Sequence, residues 1–139
     1  MTPNKYLNNP VINKNFYNVK CMNVEVLEWN TIIQLRIVPY EPYGDAQGQV
    51  LHVTLRNSPN AQSMHDRFRQ TFRITHCPTE AIGRFGCVGV DTSTFRDKPY
   101  SSVHFIKQGE FAKRQAMSLE MADRDGLIPW QTRSSGVFV

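Results

Sequence analysis

The chain has 139 residues, 40% of them hydrophobic, and a formal net charge of +4. That length makes one domain with one modest core, and the lack of any run of about 18 apolar residues excludes a membrane-spanning helix. Three cysteines, Cys21, Cys77 and Cys87, are too few for the disulfide framework of a small secreted domain.

Residues 1–18 are rich in asparagine and read as an irregular or extended arm. They lack the apolar core of a signal peptide, so the chain is expected in the cytoplasm when made. Val19–Trp29 and Thr31–Tyr40 are strand-like, the second with Ile33, Leu35 and Ile37 on one side. Glu41–Gln49 contains Pro42, Gly44 and Gly48 and is a connecting loop. Gln49–Asn57 is the next strand, broken by Ser58-Pro59-Asn60, and Ala61–His65 is a loop or short helical turn. Asp66–His76 is expected as a strand. Cys77–Pro99, with three glycines and two prolines, is expected as a long functional loop in which Phe85–Val90 can extend a strand. Tyr100–Lys107 is the last strand. At Gly109 the period changes: Phe111, Ala112, Ala116, Leu119 and Ala122 fall on one helical stripe, predicting a helix over Glu110–Arg124. Met117 and Met121 lie on another side, which suggests a helix touching two bodies. The tail ends in Val137-Phe138-Val139, an apolar triplet expected to dock.

Three of these segments alternate apolar and polar residues, the mark of strands with one buried and one wet face. Leu51, Val53 and Leu55 oppose His52, Thr54 and Arg56. Phe68, Phe72 and Ile74 oppose Arg67, Arg69, Thr71, Arg73 and Thr75. Val103 and Phe105 oppose Tyr100, Ser102 and His104. Arg56 through Arg114 carries ten Lys or Arg against five Asp or Glu, whereas residues 1–55 balance at four against four. A wet face of arginine, threonine and an aromatic suits phosphates and bases, and Tyr100 there can stack on an unpaired base for about 1–3 kcal/mol.

Other chemistries are thinner. Leu51-His52-Val53-Thr54-Leu55 fits the apolar-His-x-Thr-apolar motif of two-histidine phosphoesterases, but the only second copy, Val103-His104-Phe105-Ile106, has Ile106 where a hydroxyl is required. His76, Cys77, Cys87 and His104 match no zinc template, and no cofactor or metal is expected. A Cys–His nucleophile has no supporting signature.

In order, these elements resemble the coat proteins of single-stranded RNA bacteriophages, the leviviruses. The resemblance covers roughly residues 49–139. It is carried by Leu51-His52-Val53-Thr54-Leu55-Arg56-Asn57-Ser58, by Arg67–Thr75, and by Tyr100-Ser101-Ser102-Val103-His104-Phe105 followed by Gln108, Arg114, Glu120 and Leu127-Ile128-Pro129. It implies an α+β fold of one domain over residues 1–139: an N-terminal β-hairpin, a five-stranded antiparallel sheet and C-terminal helix or helices. The arm would be 1–18, the hairpin, sheet and long loop 77–99 would fill 19–108, and helix and tail 109–139. Two chains would join into a dimer with a continuous shared sheet, each chain's helices covering its partner's.

The function implied is a non-enzymatic capsid protein of the virion, assembled in the host cytoplasm. It would build an icosahedral shell, package single-stranded RNA and bind an RNA hairpin as translational repressor. The RNA-binding residues implied are His52, Thr54, Arg56, Arg69, Thr71, Arg73, Tyr100 and Ser102. Ser102 and His52 depart from the family's usual residues, which bears on hairpin specificity more than on general RNA affinity. The family's loop disulfides between subunits would fall to Cys77 and Cys87. The alternative is a stand-alone single-stranded nucleic-acid-binding module, such as a small barrel, or a degenerate two-histidine phosphoesterase.

Overall fold

Alternation places Val19, Cys21, Ile33, Leu35, Ile37, Leu51, Val53, Leu55, Val103 and Phe105 on one side of their strands, and all of them are buried. The computed structural model describes residues 9–106 and 110–124. Its elements are β1 (Asn15–Val26), β2 (Asn30–Ile37), β3 (Val50–Arg56), α1 (Gln62–Phe72), β4 (Phe85–Phe95), β5 (Lys98–Phe105) and α2 (Glu110–Arg124). Short 3-10 turns occupy Glu41–Ala46, Pro59–Ala61 and Pro78–Ala81. The strands form one sheet in the order β3-β2-β1-β4-β5, antiparallel throughout. The α+β class, the five-stranded antiparallel sheet and the helix over Glu110–Arg124 agree with the sequence. The hairpin β1–β2 does not stand apart from the sheet but forms its middle, and Asn15–Asn18 of the expected arm begin β1. The apolar tail lies outside the described residues.

The sheet curls. β1 has 12 residues and a bulge between Cys21 and Asn23, and bulges bend a strand and raise its twist. Its first half, Asn15–Lys20, pairs with β4, while Val19–Val26 pairs with β2. The edge strands β3 and β5 consequently come together, and a partly open barrel results. Its interior is one cluster that takes Tyr17, Val19 and Val24 from β1, the inward residues of β2, β3 and β5, and Val88 and Val90 from β4. The chain before β1 fills the seam. The Asn9 amide accepts from the His52 N–H (2.8 Å) and donates to the His52 carbonyl (3.0 Å), as a paired strand would. Three residues on, the Ile12 N–H donates to Ser101 Oγ (3.0 Å) and its carbonyl accepts from Thr92 Oγ1 (2.8 Å). An exposed edge is an aggregation hazard, and this segment bonds to the β3 backbone at His52 and to the Ser101 side chain on β5.

The segment expected as a strand over Asp66–His76 is helical. Positions 68 and 72 share a face at period two and also at period 3.6, so those two phenylalanines do not choose. Met64, four residues earlier, extends the helical stripe, and Gln70 breaks the alternation. Phe68 and Phe72 plug the barrel against Phe105, at ring separations of 5.3 and 6.3 Å. The helix ends with Arg73 at φ 58°, where the Ile74 N–H reaches the Arg69 carbonyl at 2.9 Å. That six-to-one bond is a Schellman ending, with buried Ile74 supplying its usual apolar contact.

The expected long loop Cys77–Pro99 is a 3-10 turn followed by β4 and a tight turn into β5, at whose tip Arg96 (φ 53°) and Asp97 (φ 64°) are both left-handed, as two-residue hairpins require. Two glycines that read as loop signals are flat places in a strand. A Cβ on Gly86 would stand 2.6 Å from the Thr71 methyl, and one on Gly89 would clash with the His104 imidazole.

Glu80 ties the turn after α1. Its carboxylate accepts from the N–H groups of Cys77 (2.6 Å), Thr75 (3.2 Å) and His76 (2.7 Å) and from the Thr75 hydroxyl (3.1 Å). These bonds, the Cys77 amide first, lower its pKa from 4.5 to about 2. A depressed carboxyl stabilises the fold above its unfolded value and ceases to do so as pH falls through its folded one. Amide protection at 75–77 is therefore expected to hold above about pH 4.5 and to fall away toward pH 2. Hydrogen exchange would show it, with Glu80→Gln removing the pH dependence; identical profiles for the two proteins would refute the tie.

Helix α2 lies outside the barrel. Ala116 is buried, and Leu119 and Ala122 are half-buried, against Phe85, Val38 and Tyr43. Arg73 bridges three elements, donating to Glu120 (2.7 Å) on α2 and to the Phe85 carbonyl (3.2 Å) on β4. Met117 and Met121 are about half exposed, on a different side of the helix as expected.

Candidate nucleic-acid interface

Outward positions on β2 and β3 make a continuous patch. The register sets Arg36 beside Val50, Gln34 beside His52, Ile32 beside Thr54 and Asn30 beside Arg56. All are half-buried except Arg56, which is exposed. A guanidinium at each end, an imidazole, two amides and a hydroxyl thus surround two aliphatic spots, Ile32 and Val50. Arg36 Nε and Thr54 Oγ1 are buried beneath that face and have no hydrogen-bond partner among the described residues.

The β1–β2 turn stands over one end of this patch. Trp29 at its tip is 73% exposed, the most exposed large hydrophobic residue among those described. Its backbone is nonetheless fixed. Asn57, just after β3, donates its N–H to the Trp29 carbonyl (2.8 Å) and its side-chain amide to the Leu27 carbonyl (2.8 Å). The Asn57 Oδ1 accepts from Thr31 Oγ1 at 2.8 Å. An exposed indole is therefore held on a pinned turn whose backbone pairs with Asn57, one residue beyond Arg56. His65 Nε2 lies 2.9 Å from the Arg56 carbonyl, and a shallow hollow lined by Asn57, Pro59, Gln62, His65 and Arg69 continues the surface toward α1.

Of the expected RNA-binding residues, His52, Thr54 and Arg56 do share the outer face of β3. Arg69, Thr71 and Arg73 do not join them, because their segment is helix α1. Arg69 is exposed and pairs with Asp66 (3.3 Å), Thr71 is buried over Gly86, and Arg73 caps α1 and holds α2. Tyr100 and Ser102 are half-buried on β5. Three strands separate them from β3 along the sheet, and residues 9–12 fill the seam the other way. His52 stands on β3, its backbone bonded to Asn9, and His104 stands on β5 with Nδ1 3.5 Å from Asp91.

Cys77 is exposed, but Cys87 is buried in β4 rather than set in a loop, and burial pushes its thiol pKa up. Burial pushes Cys21 up to about 12. The expected disulfide pair thus has only one thiol at the surface. Trp29, Gln34 and Arg36 were not singled out in the sequence. The available signal was a tryptophan in Glu28-Trp29-Asn30, between two strand patterns, where a buried aromatic is out of place. Comparison with protein-family models, with curated proteins and with solved structures gives no match.

Proposed function

We propose that this protein is a binding module for single-stranded nucleic acid that uses the outer face of β2 and β3 together with the β1–β2 turn. The observation that carries the reading is Trp29, exposed yet pinned by Asn57 beside Arg56. A large aromatic held in water costs free energy unless it has a partner. An unpaired base is a partner that every sequence offers, since each base has a π-face. Arg36 and Arg56 on the adjoining face of β2 and β3 suit the phosphates between bases.

The chain path supports the same reading by analogy. A five-stranded Greek-key barrel, strands 1-2-3, a helix, then strands 4-5, is the oligonucleotide-binding arrangement, in which strands 2 and 3 and the 1–2 and 4–5 loops meet the strand. Arg96 sits in the 4–5 turn here and Lys98 opens β5 beside it.

The coat-protein reading asks for a sheet whose second face awaits a partner's helices. In this chain that face encloses its own core around α1, which favours the stand-alone module. The test is anisotropy of a labelled oligothymidylate or oligouridylate titrated at several salt concentrations. Binding is expected, with log affinity falling by about 0.7 per phosphate contact for each unit of log salt. Failure to bind either oligonucleotide at low salt would overturn the proposal, and uniform RNA-filled particles by electron microscopy would return the coat reading.

A further inference from the structure

The barrel wall carries a second outward patch, on the far side of the α2 contact. Outward positions on β1 run Phe16, Asn18 and Lys20, then Asn23 and Glu25 beyond the bulge. Lys20 is paired with Phe85, on which α2 sits, so the Asn23 end belongs with the β2–β3 patch and the Phe16 end is apart from it. Phe16 pairs with Gly89, and Gly89 pairs with His104, so two rings flank a residue that has no side chain. The His104 imidazole lies over that glycine, and Phe16 is 60% exposed. A cavity of about 510 Å³ opens there, lined by Lys14, Phe16, Gly89, Asp91 and His104 among others, within the range of about 300–1,000 Å³ usual for small-ligand sites.

Asp91 decides the ligand. Its carboxylate stands 3.6 Å from Lys14 Nζ and 3.5 Å from His104 Nδ1, long contacts that leave its lone pairs available. A negative group lining the same cavity as the two rings disfavours a phosphate and favours a base edge that donates. Of the common bases only guanine presents two adjacent donors on its Watson–Crick edge, N1–H and N2–H, matching the two oxygens of a carboxylate. Adenine and cytosine offer an amino group beside an acceptor, and thymine or uracil offers one N–H between two carbonyls that would face the carboxylate.

We propose that Phe16, Gly89, Asp91 and His104 form a subsite for one unpaired guanine, stacked on Phe16 and read by Asp91, with Lys14 beside the adjoining phosphate. This rests on the reading of the protein as a single-strand binder, which the experiment separates from it. Anisotropy would compare an oligothymidylate 11-mer with the same strand carrying one central guanine. The guanine strand is expected to bind about 5- to 100-fold more tightly, the usual discrimination of a bidentate contact. Asp91→Asn is expected to abolish that preference while oligothymidylate affinity stays within twofold, and Phe16→Ala to weaken the guanine strand more than the plain one.

Equal affinity of the wild-type protein for the two strands would overturn the guanine subsite and leave the single-strand reading intact, whereas binding of neither would overturn both. An NMR titration with guanosine monophosphate provides a variant-free check. Shifts centred on Phe16, Asp91 and His104 support the subsite, and shifts confined to other residues refute it.

Discussion

Phe72→Ala is expected to lower the unfolding free energy by about 3–5 kcal/mol, the usual cost of emptying a fully buried aromatic site. Phe72 has no exposed surface and sits 5.6 Å from the Phe68 ring and 6.3 Å from the Phe105 ring. It also lies over Gly86, where a Cβ would be 3.0 Å from its ring. Three phenylalanines and a glycine thus close one end of the barrel. Since domains of this kind are stable by about 5–15 kcal/mol, the variant would stand near the edge of folding. Urea unfolding measures the difference. Arg69→Ala in the same helix removes only an exposed pair with Asp66 and is expected to change stability by less than about 0.5 kcal/mol. If the two variants cost the same, α1 does not plug the barrel.

Trp29→Ala should leave the fold intact and weaken nucleic-acid binding by about 1–3 kcal/mol, the usual contribution of one stacked base, or roughly 5- to 150-fold in affinity. The side chain is largely in water, and the turn beneath it is held through backbone groups that alanine retains. Asn57→Ala tests the pinning itself. It keeps the indole but removes two bonds that fix the turn, so an affinity loss smaller than that of Trp29→Ala is expected. Arg56→Ala should act through phosphate instead, reducing the slope of log affinity against log salt by about 0.7. Trp29→Ala should leave that slope unchanged. Wild-type affinity in the Trp29 variant would refute a role for the turn in binding.

Most of the sheet was legible in the chain. β1, β2, β3 and β5 announce themselves by inward residues such as Ile33, Leu35, Val53 and Phe105, because half-buried strands need period two. The stripe of Ala116, Leu119 and Ala122 likewise bounded α2. Two elements were not legible, for different reasons. In α1 the spacing of Phe68 and Phe72 suits both periods, and the choice falls to Phe105, which is far away in the chain. In β4 glycines normally mark loops, and only the tertiary neighbours explain them: Thr71 needs the space above Gly86, and His104 that above Gly89. The error over α1 displaced Arg69, Thr71 and Arg73 from the candidate site, and the error over β4 hid Asp91.

By itself, then, the sequence determined the α+β class, four strands and the inward faces of three of them, the terminal helix and an outward His52-Thr54-Arg56 row on β3. Those features follow from local periodicity, which burial enforces residue by residue. Only the tertiary structure decided that the sheet curls into a barrel, that Asn9 and Ile12 close its seam, and that Asn57 pins the Trp29 turn. Each of those depends on a bulge, a side-chain amide or a ring meeting a partner tens of residues away, and no local pattern encodes such a partner.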